Sequence, residues 1–175
     1  MIKPTLQQAK QLVKLARSVI GNGEVFETSF DEESGVFVTL EKSGELRGCV
    51  GIVQASDAND LIIRAARSAA FEDSRFLPVK ESELSEIIVE ISLLSKPVKC
   101  ELKEIKKGDG VILKQGLNSA LFLPQVWKQL PDKHDFLNQL AFKAGLNNYE
   151  SAVFEKFSII SFKEEKPNGD VFFEI

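Results

Sequence analysis

The chain has 175 residues, with 22 basic and 26 acidic side chains, a net charge of −4, two cysteines and one histidine. Cys49, Cys100 and His134 are too few to close a zinc site built from His and Cys alone, which takes four ligands, and so sparse a cysteine usage fits a reducing compartment rather than a disulfide framework. The acidic balance argues against a nucleic-acid partner bound by covering its phosphates.

Apolar residues make up 43% of the chain, enough for a sizeable core, and thirteen Phe against one Tyr and one Trp point to packing rather than to base stacking. No apolar run approaches the roughly 20 residues of a membrane-spanning helix. The start, Met1-Ile2-Lys3-Pro4, leads directly into an amphipathic pattern without a signal-like apolar stretch. A cytoplasmic domain with no membrane association is the expectation.

In chain order, Pro4 suits the first turn of an amphipathic helix in which Leu6, Ala9, Val13, Ala16 and Ile20 recur at three- and four-residue spacing and which Gly21 can end. A turn-rich connector follows over 21–35. Val36, Val38 and Leu40 alternate in a strand over 35–41, and Lys42-Ser43-Gly44-Glu45 reads as the turn to a second strand over 46–53. Ser56 or Asp57 can cap a helix to Phe71, with Leu61, Ala65 and Ala69 inward. An irregular link covers 72–78, a helical turn 82–86 and a strand 87–94. Two short strands, 111–114 and 120–123, join through Gly116, and a helical turn over 125–129 is broken by Pro131. Asp132 caps a helix through Ala144 that Gly145 ends. Alternation over 157–162 predicts a strand, and the Pro167-Asn168-Gly169-Asp170 turn predicts a last one over 171–175. Strands gathered in hairpins with few, separated helices give an α+β class with an antiparallel-rich sheet.

No P-loop, GxGxxG, HExxH, CxxC or GxSxG pattern is present, and no cofactor is called for. The unusual stretch is Leu46-Arg47-Gly48-Cys49-Val50-Gly51-Ile52. Strict alternation would put Leu46, Gly48, Val50 and Ile52 on a core face and Arg47, Cys49 and Gly51 on the other. A glycine inside a strand marks close approach by a ligand or backbone, and a nearby Arg favours thiolate over thiol. Together they describe a small anion-binding or nucleophilic pocket; a buried structural cysteine is the alternative. Glu72, Asp73 and Arg75 form a second group, with acidic residues at a helix C-terminus opposing its dipole; the alternative there is a local Asp73–Arg75 ion pair. His134, in the first turn of a helix, reads as a solvated side chain, and Cys100, among charged residues after Pro97, lies in a loop or edge strand and has no role.

The Leu46–Gly51 segment resembles the hallmark LRGC[IV]G of the AMMECR domain family, with Val50 a permitted variation. Ala69-Ala70-Phe71-Glu72-Asp73-Ser74-Arg75-Phe76 with Pro78 resembles the family's second block, and Val89-Glu90-Ile91-Ser92-Leu93-Leu94-Ser95 its central strand. Leu121-Phe122-Leu123-Pro124-Gln125-Val126-Trp127, Phe136-Leu137 and Lys143-Ala144-Gly145-Leu146 are similar to the bacterial and archaeal branch. The match spans about 5–163, so 1–175 is read as a single domain of this type. The resemblance implies a larger lobe with a mixed sheet and helices, a smaller closely packed lobe, and a functional surface at Arg47, Gly48, Cys49 and Gly51. It also implies a pathway shared with Memo-like and radical-SAM proteins.

Two uses of that surface stay open. In an enzyme or enzyme component, Cys49 would be the thiol, Arg47 the anion holder and Asp73 or Glu72 the acid/base group, although no histidine stands beside the thiol. In a binding or adaptor domain, the same face would receive a peptide, a modified substrate or a Memo-like partner.

Overall fold

Thr5 opens the first helix, α1 (Leu6–Ile20), with a reciprocal cap. Its hydroxyl accepts the Gln8 N–H at 3.2 Å, and the Gln8 side chain accepts the Thr5 N–H at 2.9 Å. Pro4 therefore precedes the cap instead of entering the first turn. This computed structural model describes residues 3–174; Met1, Ile2 and Ile175 lie outside them, so the end of the expected last strand does too.

Strands β1 (Glu33–Lys42) and β2 (Glu45–Asp57) form the predicted hairpin. Its two-residue turn needs positive φ at both positions, supplied by Ser43 (54°) and Gly44 (80°). Of the two possible caps for α2 (Ala58–Phe71), Asp57 is the one used, accepting the Asp60 N–H at 3.0 Å. A 3-10 turn at Glu81–Glu83 leads to β3 (Ile87–Leu94).

Next come β4 (Val98–Cys100), a 3-10 turn at Leu102–Glu104, β5 (Gly110–Gln115), β6 (Asn118–Phe122) and a 3-10 turn at Pro124–Lys128. Helix α3 (Lys133–Lys143), β7 (Val153–Phe157), β8 (Ile159–Glu164) and β9 (Val171–Phe173) complete the α+β fold. No described helix is long and apolar enough to cross a membrane.

The chain divides into two compact units, 1–96 with 160–175, and 97–159. The larger holds a five-stranded sheet in the order β2-β1-β3-β8-β9. One face of that sheet, with Val36, Val38, Leu40, Val89 and Ile91, forms a single core with the apolar stripes of α1 and α2. The small residues Ala65, Ala66, Ala69 and Ala70 on α2 let that helix lie close to the strands. The smaller unit holds a four-stranded sheet, β4-β7-β5-β6, and α3. Its core centres on Phe136, stacked on Trp127 with ring centroids 3.8 Å apart.

One expectation changes. The single strand over 157–162 is two strands in different sheets, β7 and β8, with the break at Ser158. Their continuous alternation hid the crossing from one unit to the other. Of the loop and the edge strand open for the stretch around Cys100, the edge strand is formed: β4 is short and lies at the edge of its sheet.

Candidate functional site

Strand β2 is an edge strand, paired with β1 alone. Gly48 lies opposite Leu40 but Leu46 lies opposite Glu41, so Arg47 is the extra residue of a β-bulge. The bulge breaks the two-residue alternation that would put Arg47 and Cys49 on one face. Leu46 falls opposite Glu41, away from the core-facing Leu40, and is 44% exposed. Arg47 shares Glu83 with Lys42, a β1 residue in phase with Val38 and Leu40. Cys49 instead meets Thr39, which is out of phase with them, so Arg47 and Cys49 do not build one pocket.

The glycines have separate tasks. A Cβ on Gly48 would overlap the carbonyl oxygen of Ala69, so Gly48 is where the last turn of α2 touches the sheet. The space expected above Gly51 is filled by the ring of Phe37, its cross-strand neighbour. Neither glycine opens room for a ligand.

Around Cys49 the second block folds back onto the edge of β2. Asp73 accepts the Cys49 N–H at 2.9 Å, and Arg75 donates to the Cys49 carbonyl at 3.2 Å. Asp73 and Arg75 are themselves joined at 2.7 and 3.0 Å, so the two side chains close a clamp on one edge peptide. Both backbone groups of Cys49 that would otherwise invite another strand are occupied. The Arg75 guanidinium and then the Cys49 N–H hold the Asp73 carboxyl well below the usual carboxylate range. A group so firmly ionised, with both oxygens bonded, positions the strand and does not trade protons. Glu72 turns away, accepting a hydrogen bond from Ser68 at 2.5 Å, and stays outside the clamp.

The Cys49 side chain accepts the Thr39 hydroxyl at 3.4 Å. Burial pushes its thiol up from the ordinary value; the Thr39 bond and the Arg75 charge only partly oppose this. The group is therefore a thiol at neutral pH, which is the unreactive form.

Arg47 is held by Glu83 in a fork, Nε to Oε1 at 3.1 Å and Nη2 to Oε2 at 3.0 Å. Arg47 foremost, then the Lys80 N–H, pulls the Glu83 carboxyl down to about 2. The remaining nitrogen, Nη1, is buried and finds no partner among the described residues. Sequence reasoning had no means to see Glu83, which reaches Arg47 from a separate 3-10 turn.

Glu90 was also missed, although it is the one charged residue within Ile87–Leu94. It lies in register with Thr39, and Thr39 with Cys49, which places the three in a row across the sheet. Glu90 is 8% exposed. Burial, and then the charges of Glu174 and Glu41, raise its carboxyl to about 7 against the relief of Lys163 and Ser92. Lys163 is already paired with Glu174 at 3.0 Å and Glu41 at 3.5 Å.

Because the folded value lies above the ordinary 4.5, the unfolded chain loses this proton first. Glu90 therefore costs stability progressively as pH rises from 4.5 to 7, at about 1.4 kcal/mol for each pH unit between them. Glu90→Gln should match the parent near pH 4.5 and exceed it by up to about 3 kcal/mol at pH 8, in urea titrations at both values.

Among the described residues no group of three or more His, Cys, Asp or Glu side chains could hold a metal ion. His134 lies in the smaller unit, on α3, and Cys100 on β4.

The AMMECR1 family model matches residues 6–166, nearly the whole chain. The chain belongs to the AMMECR1 family. AMMECR1-type relatives include protein SSO0193 of Saccharolobus solfataricus, 40% identical over 79% of this chain and 70% of its own. Protein Mbar_A1807 of Methanosarcina barkeri is 43% identical over 81% of this chain and 76% of its own. The crystal structure of the uncharacterized protein PH0010 from Pyrococcus horikoshii superposes with a TM-score of 0.83. It is 34% identical and covers 99% of this chain and 98% of that one. In this AMMECR1 chain the segments 46–52 and 69–76 are thus one assembly: Gly48 seats α2, and Asp73 with Arg75 fixes Cys49.

Proposed function

We propose that this AMMECR1 protein is a non-catalytic binding domain acting in the cytoplasm, with Arg47 as the group it offers to an anionic or carbonyl-bearing ligand. The observation that carries this reading is the buried Arg47 Nη1 without a partner, beside two nitrogens fixed by Glu83. A buried donor left unmade is costly, so a guanidinium already aimed by a fork is well prepared to receive an acceptor. The protonated Cys49 and the committed Asp73 support binding over nucleophilic chemistry. The partner in this reading is a Memo-like protein, in a pathway shared with radical-SAM proteins, as the sequence resemblance implies.

Co-purification with a Memo-like protein tests this reading. Complex formation should survive Cys49→Ala and fall at least tenfold in affinity with Arg47→Ala, a loss of about 1.4 kcal/mol or more. Arg47→Ala binding as tightly as the parent overturns the role of Arg47; no complex with any variant overturns the partner.

The second reading, a substrate site that uses the Cys49 thiol, has one observation in its favour. Glu90, with its carboxyl raised to about 7, stands in the same cross-strand row and would be the proton acceptor.

A further inference from the structure

The smaller unit carries a cavity of 760 Å³ lined by Leu102, Leu137 and Tyr149 together with the first turn of α3. That volume is within the range of ordinary small-molecule pockets, roughly 300–1,000 Å³. Its wall is braced from several sides. Asp132 accepts the N–H groups of His134 and Asp135 at 2.8 and 3.1 Å, which fixes the start of the helix. Lys133 donates to the carbonyls of Leu102 and Ile105 at 2.5 and 2.9 Å, tying that start to the 3-10 turn that carries Leu102.

The imidazole of His134 is positioned as well. Its Nδ1 lies 2.8 Å from the Tyr149 hydroxyl, with the rings edge-to-face at 5.9 Å. Tyr149 in turn meets Phe154 edge-to-face at 6.4 Å. One ring nitrogen is thus engaged and Nε2 is the other. The fixed charges of the wall balance, Lys103 and Lys133 against Glu101 and Asp132. Among the described residues Lys103 is paired only with Glu101, and both are largely exposed, at 79% and 70%. Such a surface pair is worth little and exchanges readily for another anion.

We propose that this cavity is a ligand site independent of the hallmark segment and takes a small aromatic carboxylate. The ring packs against Leu102, Leu137 and Tyr149, and the carboxylate reaches His134 and Lys103. An aromatic ring suits apolar walls that already present ring faces and edges. A second cavity of 530 Å³ shares Glu101, Leu102 and Tyr149, which leaves room for a substituent longer than one ring.

His134 is the only histidine, so its ring signals in a proton–carbon NMR spectrum of the whole chain need no assignment. Benzoate is the probe and benzyl alcohol its neutral counterpart, each titrated into the whole chain. Benzoate should shift the His134 signals saturably and bind more tightly than benzyl alcohol. Leu102→Asp, at a side chain 41% exposed, should abolish the shift while other resonances stay in place. Arg47→Ala should leave it unchanged, which separates this site from the proposed function. No saturable shift, or the same shift in Leu102→Asp, overturns the site. Equal affinity for benzoate and benzyl alcohol overturns the carboxylate.

Discussion

Gly48→Ala is expected to destabilise the larger unit by about 3 kcal/mol or more, as a drop in the urea midpoint with little change in slope. Strand propensity alone points the other way, since glycine weakens a strand interior. The sign reverses because the new methyl would overlap the backbone carbonyl of Ala69. A backbone oxygen in a helix cannot swing aside as a flexible side chain does, so α2 must move away from β2. That movement loosens the contacts of Ala65, Ala66 and Ala69 with the core and pulls the Asp73–Arg75 clamp, which follows α2 in the chain, off Cys49. Gly44→Ala is the control: nothing lies within 4 Å of that position, and only its φ of 80° is unfavourable. It should cost about 1 kcal/mol. Equal losses at the two glycines would contradict the close seating of α2 on Gly48.

Arg17→Met should destabilise the same unit by about 3–5 kcal/mol. Arg17 lies in the last turn of α1 and pairs with Glu164 of β8 through Nε, at 2.7 Å, and Nη2. It also donates to the carbonyls of Leu84 and Ile87 at 3.1 and 2.5 Å. Glu164 is 3% exposed and retains only the Val89 N–H, at 3.0 Å, once the guanidinium is gone. The penalty comes from leaving a buried carboxylate unmatched, not from the pair's own net worth. The double change Arg17→Met with Glu164→Leu should therefore recover a large part of the loss, in the same denaturation experiment. A double variant as weak as the single one would show instead that the four bonds of Arg17 are what hold α1 to the sheet.

The local patterns were legible because burial on one side writes itself into the spacing. The stripes of α1 and α2, the turn at Ser43-Gly44 and the strand Ile87–Leu94 follow from that alone. The folding back of Asp73 and Arg75 was foreshadowed by acidic residues at a helix C-terminus, a local inconsistency with a structural resolution. What stayed hidden belongs to pairing between strands. A bulge at Arg47 is a property of the β1–β2 register, and reading β2 by itself assigns that side chain to the wrong face. The Phe37 ring over Gly51 and the Cys49–Thr39–Glu90 row are likewise cross-strand relations. Glu90 did leave a signal, a carboxylate inside an apolar strand, which is where a perturbed group is to be sought.

Within the Leu46–Ile52 segment, Glu83 holds the Arg47 guanidinium and the Asp73–Arg75 clamp holds the Cys49 backbone. The account stands on Cys49 being a scaffold residue whose thiol stays protonated at neutral pH. The most direct measurement is the rate of Cys49 alkylation against pH in a Cys100→Ser variant, so that a single thiol reports. The account predicts slow modification with a midpoint above the ordinary thiol value of about 8.5, rising to the free-cysteine rate on unfolding in urea. Rapid alkylation of the folded protein with a midpoint well below that value would establish a thiolate at Cys49 and contradict it.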